Sequence, residues 1–258
     1  MRYLFATAAL FAAGLLGFSA PAQAGTITTL GYVGQDDGAS ISGPFPNSGS
    51  AKNTFLAAAA AYGVVDVHGF GAQPLGYSTN NTWLDGSGTF TLNSAQTGTG
   101  FGISNTNNIC PAGSKNLCGF NIGSGNDKFL SLAGGSATFT MANPTNSFGF
   151  FATGVQTKYG NTFTVSFTDS DGVNVLNIPI NVNGGTEYFG FTDTAVFSSV
   201  TISRPPDPTN GNDFWGIDNV AFNTTPLPAA LPLFASGLGG LGLLGWRRKK
   251  KKVAAVST

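Results

Sequence analysis

Charge is scarce in this chain: only 9% of its 258 residues are Asp, Glu, Lys or Arg, against 41% hydrophobic residues. That balance excludes an ordinary charged cytosolic domain. Histidine is represented once, by His68, and neither a G-x-S-x-G nucleophile elbow nor an H-E-x-x-H metal helix occurs, which disfavours hydrolases of those two types. Two cysteines and one distant histidine fall short of the four ligands that structural zinc requires. A glycosidase using two carboxylates stays open, because the separation it needs is spatial and twelve acids are available.

Cations are scarcer still once their positions are considered. Arg247, Arg248, Lys249, Lys250, Lys251 and Lys252 form one run near the carboxyl end, and Arg2 stands at the second position of the sequence. The segment between them sets five basic residues against all twelve acids, a net of −7. Such a body repels nucleic acid and anionic lipid, so no nucleic-acid partner is expected.

What the chain does have is glycine, 37 residues of it, with many Ser, Thr and Asn, the composition of a secreted β protein. Its ends read as addresses. Residues 1–24 combine Arg2, an apolar run from Leu4 to Phe18, and small residues at Ala22 and Ala24 before Gly25. That pattern predicts a signal peptide cut by signal peptidase between Ala24 and Gly25. At the other end, Leu227 to Trp246 carries no charge and as a helix would reach about 30 Å, the thickness of a hydrocarbon core. The cations of 247–252 resist translocation and predict that the preceding domain lies beyond the inner membrane, with 253–258 as a short tail.

The string PLPAALPLFASGLGGLGLLGWRRKKKK, residues 226–252, resembles the PEP-CTERM sorting signal of Gram-negative bacteria: a short proline motif, a glycine-rich membrane helix, then a basic end. The resemblance implies a membrane-anchored precursor, recognised near the proline motif by an exosortase and passed to the cell surface or the exopolysaccharide matrix. Here the family's Pro-Glu-Pro is Pro226-Leu227-Pro228, without the glutamate. The prolines keep this stretch extended, as a protease substrate must be and as a stiff spacer also would be.

Residues 25–225 read as one all-β domain. Phe163, Val165 and Phe167 alternate with Thr and Ser, and Asp169-Ser170-Asp171-Gly172 makes a hairpin turn in preference to a calcium loop. The next run changes phase between Val173, Val175 and Ile178, Ile180, Val182, which predicts a bulge near Leu176, with Pro179 marking an edge strand or the bulge itself. Further strands are expected at Thr89–Leu92, Ala137–Met141, Phe148–Phe151, Tyr188–Phe191, Val196–Ser203 and Trp215–Phe222. One short helix is expected from Thr54 to Tyr62, with Asn53 as its N-cap and Gly63 closing it. Many short strands predict an antiparallel sandwich or barrel.

The phrase FWGIDNVAF, Phe214 to Phe222, resembles the closing strand of jelly-roll sandwiches of the carbohydrate-binding type. The resemblance implies a jelly-roll-like sandwich and a structural Ca²⁺ near Asp218. In a regular strand Asp218 shares a face with Val220 and Phe222, where an ionised carboxylate needs a metal or backbone donors; the alternative is an aspartate capping a turn. Asp213, Asp36 and Asp37 are the further oxygen ligands considered. Cys110 and Cys118 are expected to form a disulfide in an oxidising compartment, contributing about 2 to 3 kcal/mol by closing a short loop. Trp83, Tyr77, Tyr159 and Trp215 are candidates for stacking on sugar rings or, individually, for core packing. His68 is expected to be structural.

Together these features predict a non-enzymatic, exported surface or matrix protein whose domain binds polysaccharide. A surface polysaccharide hydrolase and a purely adhesive matrix component are the alternatives.

Overall fold

The computed structural model describes residues 30–37, 43–93, 102–106, 118–123, 127–157, 162–204 and 214–224. The expected signal peptide and its Ala24–Gly25 cut, the sorting signal of 226–252, the 253–258 tail, Cys110, Tyr159 and Asp213 lie outside these residues. Among the described residues no helix is long and apolar enough to cross a membrane.

The described chain runs β1 (Leu30–Asp36), α1 (Pro46–Ala59), β2 (Val64–His68), β3 (Asn80–Thr82), β4 (Gly88–Leu92), β5 (Gly102–Ser104), β6 (Phe129–Ala133), β7 (Gly135–Gln156), β8 (Thr162–Asp169), β9 (Gly172–Pro179), β10 (Asn183–Arg204) and β11 (Phe214–Thr224). All strand pairings between these elements are antiparallel.

Two strands of 22 residues, β7 and β10, organise the fold. Where separate strands at Ala137–Met141 and Phe148–Phe151, and at Tyr188–Phe191 and Val196–Ser203, are expected, the chain runs on without a break. The paired strands shift register between Thr192 and Ser199. On one side of the shift, β7 and β10 are flanked by β11 and β1; on the other, by β4 and β8. A single sheet is thereby divided into two halves, and these face each other as a β-sandwich. Rings meet across the interior: Phe167 and Phe191 stack at 4.6 Å, and Phe163 lies 5.2 Å from Trp215.

The shift leaves backbone groups without ladder partners inside the protein, and buried asparagines take them up. Asn146 Nδ2 donates to the carbonyls of Asp193, Thr194 and Ala195 at 3.1–3.3 Å. Asn223 Oδ1 accepts from the Thr145 and Ser147 hydroxyls, at 2.7 Å each, and from Asn146 N–H at 3.0 Å. Nothing local in an Asn-Pro-Thr-Asn stretch announces this role, because it requires β10 and β11.

Helix α1 begins eight residues before the expected Thr54. The Asn53 cap is replaced by a distant one: the Asp36 carboxylate at the end of β1 accepts from Asn47 N–H at 3.0 Å and from Ser48 N–H at 2.8 Å. Pro46 occupies the first turn, where a missing N–H costs nothing. The helix covers the outer side of the first sheet half. Its Phe55 fits against Gly149 and Gly190, a cross-strand pair without side chains; a Cβ on Gly190 would come within 2.6 Å of the Phe55 ring.

In the second half, β8 and β9 pair in unbroken register from Asp169↔Gly172 to Thr162↔Pro179. The expected bulge near Leu176 is absent. The change of phase reflects two faces of one regular strand: Ile178 is buried and Leu176 packs on the core, while Val173 and Val175 are exposed. β9 ends the strand order, so Pro179 closes an edge strand. Asp169 Oδ1 accepts from Asp171 and Gly172 N–H, building the hairpin turn from the aspartate.

Candidate functional site

The outer side of the second sheet half is lined by hydroxyls. Strand alternation sends Phe163, Val165 and Phe167 of β8 inward and Thr164, Ser166 and Thr168 outward. On β10 the same period buries Val200 and Ile202 and turns out Ser199, Thr201 and Ser203. Thr201 pairs with Ser166 on one side and Thr138 on the other, and the Thr138 and Thr201 hydroxyls bond at 2.9 Å. Near the register shift the face dips into a cleft of about 330 Å³ that includes Ser166, Thr168, Ser198, Ser199 and Thr201, with Asp169 at its hairpin end. Such a cleft offers paired hydroxyl donors and acceptors beside apolar Val173 and Val196, with a carboxylate and no cation in its lining.

Asp218 occupies the first sheet half, and its face is not the expected one. Between Asp218↔Phe151 and Ala221↔Gly149 the register slips by one residue, and Asn219 adopts φ +49°. This bulge keeps Ile217, Val220 and Phe222 in the sandwich core and turns Asp218 to the α1 side with Ala221. Its carboxylate accepts from Ile122 N–H at 2.8 Å and from Asn219 N–H at 2.7 Å. Burial raises its pKa to about 6; the two backbone donors and Lys52 act against this, and Asp127 reinforces it.

Of the other aspartates considered for calcium, the two among the described residues, Asp36 and Asp37, do not gather around it. Asp36 and Asp218 lie on the α1 side but are separated by β10 and β7, three strand spacings or about 14 Å. Asp36 caps α1, and Asp37 Oδ1 accepts from Asn183 N–H at 2.9 Å. Among the described residues no cluster of three His, Cys, Asp or Glu side chains could hold a metal ion. Asp218 has backbone donors on its oxygens and the Lys52 ammonium as countercharge, while Asp36 and Asp37 are engaged elsewhere.

The expected sugar-stacking tryptophans are in the core. Trp83 is 3% and Trp215 0% exposed, because their neighbours in the alternation are the outward Thr82 and the inward Ile217. Tyr77, 44% exposed, remains on the surface. Cys118 is buried near the chain segment that crosses Phe214.

His68 forms a dyad with Asp85, Nδ1 to Oδ2 at 3.0 Å. The ring is stacked on Phe222 at 4.8 Å, and its buried Nε2 meets no hydrogen-bond partner. Burial lowers its pKa against the pull of Asp85 and Asp66. The alternation along 162–168 already gives one strand a hydroxyl side; its continuation across β10 and β7 is set by the register between strands distant in sequence.

No family model matches the chain, and no curated protein does. Among solved structures, the K2 cleaved adhesin domain of Lys-gingipain aligns at a TM-score of 0.38 with 10% identity, covering 62% of this chain and 100% of that one. The catalytic domain of GH87 alpha-1,3-glucanase in complex with nigerose aligns at 0.27 with 16% identity, covering 54% of this chain and 29% of that one. This chain thus spans less than a third of the glucanase chain. Both are distant likenesses of β architecture.

Proposed function

We propose that this is an exported, non-enzymatic surface or matrix protein whose β-sandwich associates with neutral polysaccharide. The observation that carries the reading is the cleft along β8 and β10, whose lining includes five Ser and Thr residues and no cation. Sugars present neutral hydroxyls, and Ser and Thr pair with them as donor or acceptor without the desolvation cost of an ion. His68, sealed at Nε2, and Asp218, held by backbone donors, support a binding role over hydrolysis.

The finer parts of the proposal rest on the sequence. They are a jelly-roll form of the sandwich, signal-peptidase cleavage at Ala24–Gly25, a PEP-CTERM-type anchor processed by an exosortase near Pro226-Leu227-Pro228, a Cys110–Cys118 disulfide, and residence on the surface or in the exopolysaccharide of a Gram-negative bacterium.

The test is to incubate the purified full-length chain with neutral polysaccharides and measure both retention and reducing ends. Retention without new reducing ends is the expected outcome; release of reducing sugar, abolished by substituting an Asp or Glu, would establish the hydrolase alternative. Mass spectrometry of the protein recovered from its host reads both termini and the cysteine pairing together.

A further inference from the structure

The cleft is one part of a larger pattern. Following the pairing register across the second sheet half, a single outward row runs Asn80, Thr91, Thr138, Thr201, Ser166, Val175, one residue from each of β3, β4, β7, β10, β8 and β9. A parallel row is Thr82, Thr89, Thr140, Ser199, and a third is Ser136, Ser203, Thr164, Asn177. The long row crosses five strand spacings, about 24 Å. None of these positions is charged and none is aromatic. A soluble surface ordinarily intersperses charges of both signs, and an uncharged face this wide departs from that habit.

We infer that this face is the binding surface for a single extended, neutral polysaccharide chain lying across the strands along the row from Asn80 to Ser166. The inference rests on the proposed polysaccharide association and assigns its location and ligand class.

Charge complementarity selects the ligand. The rows carry no cation to pair with uronate, sulfate or phosphate, while Asp169 at the cleft and the net acidity of the body repel anions. Chemistry then sets the length dependence. Each hydroxyl-to-hydroxyl contact replaces one made with water and gains little, and no exposed ring on these rows adds stacking. Useful affinity therefore requires many contacts on one chain, so that a single association cost is shared among them. Monosaccharides and short oligomers are held poorly, and affinity grows until the chain covers the row.

The experiment is native affinity electrophoresis of the detergent-solubilised full chain in gels containing dextran, galactomannan or soluble β-glucan, with alginate as the acidic probe. The test variant is the triple substitution Thr138→Val, Thr201→Val, Ser166→Ala, which removes three neighbouring hydroxyls with little change of shape. A second variant, Asn80→Ala with Thr91→Val, alters the far end of the same row should the first fold poorly by circular dichroism.

The expected result is retardation by at least one neutral polymer, weakened tenfold or more in a folded variant, and competed by oligomers only once they approach the row's length. Retardation that is equal in wild type and folded variants overturns the assignment of this face and leaves the polysaccharide reading standing. Retardation by alginate alone overturns the neutral ligand class. No retardation by any polymer overturns the polysaccharide reading and this inference with it.

Discussion

Asp36 caps helix α1 through Ser48: its Oδ2 accepts from the Ser48 backbone N–H at 2.8 Å and from the Ser48 hydroxyl at 2.6 Å. The residue that starts the helix therefore belongs to the preceding strand. Capping and docking are one act, because β1 carries the carboxylate on the side of the sheet that α1 covers.

Asp36→Ala is expected to destabilise the domain by about 1 to 2 kcal/mol, the usual effect of a lost cap. Burial alone would raise the Asp36 pKa, but hydrogen bonds from Ser48 and Asn47 together hold it below the usual carboxylate value. The cap's contribution is present above the unfolded value near 3.8 and is lost as pH falls through the lower folded value. Urea denaturation of wild type and variant at neutral pH and near pH 2 checks both statements; a variant as stable as wild type at neutral pH would count against the cap.

Asn146→Leu fills a similar volume and removes the donor shared by three carbonyls at the register shift. The carbonyls of Asp193, Thr194 and Ala195 lose that partner, and a loss of about 2 to 3 kcal/mol is expected. Denaturant unfolding measures the loss, and amide exchange should quicken around residues 193–198 before it does in β8.

Gly190→Ala places a methyl group where Phe55 sits. The helix has to move off the sheet, at a cost of about 1 to 3 kcal/mol. Limited proteolysis is expected to cut within α1 while β7, β10 and β11 remain protected.

Stability should fall as pH rises from about 4 to about 8. Burial pushes Glu187 up to about 7, although Gln35 donates to it and Arg204 draws it down, and burial likewise raises Asp218 to about 6. Both acids keep a proton in the folded protein after the unfolded chain has released it. Their contribution is complete below the unfolded values, 4.5 and 3.8, and is lost as pH passes through the folded ones. For Glu187 the change is on the order of 3 kcal/mol. Glu187→Gln should flatten the slope between pH 5 and 8, read from urea midpoints; an unaltered slope would remove Glu187 as its source.

The sequence alone determined the β class, strands over Thr89–Leu92, 162–168 and Trp215–Phe222, and the hairpin built on Asp169. Each follows from a period of two and from turn chemistry contained within a few residues. Only the tertiary structure decided where α1 begins, since its cap is Asp36, and that the segments at 137–141 and 148–151 are one strand, since Asn146 satisfies carbonyls some fifty positions away. It also decided the side that Asp218 takes, because the extra residue at Asn219 reverses the alternation that a regular strand would keep. The hydroxyl rows belong to both: alternation put Thr and Ser on one side of each strand, and the register between strands distant in sequence aligned them into a surface.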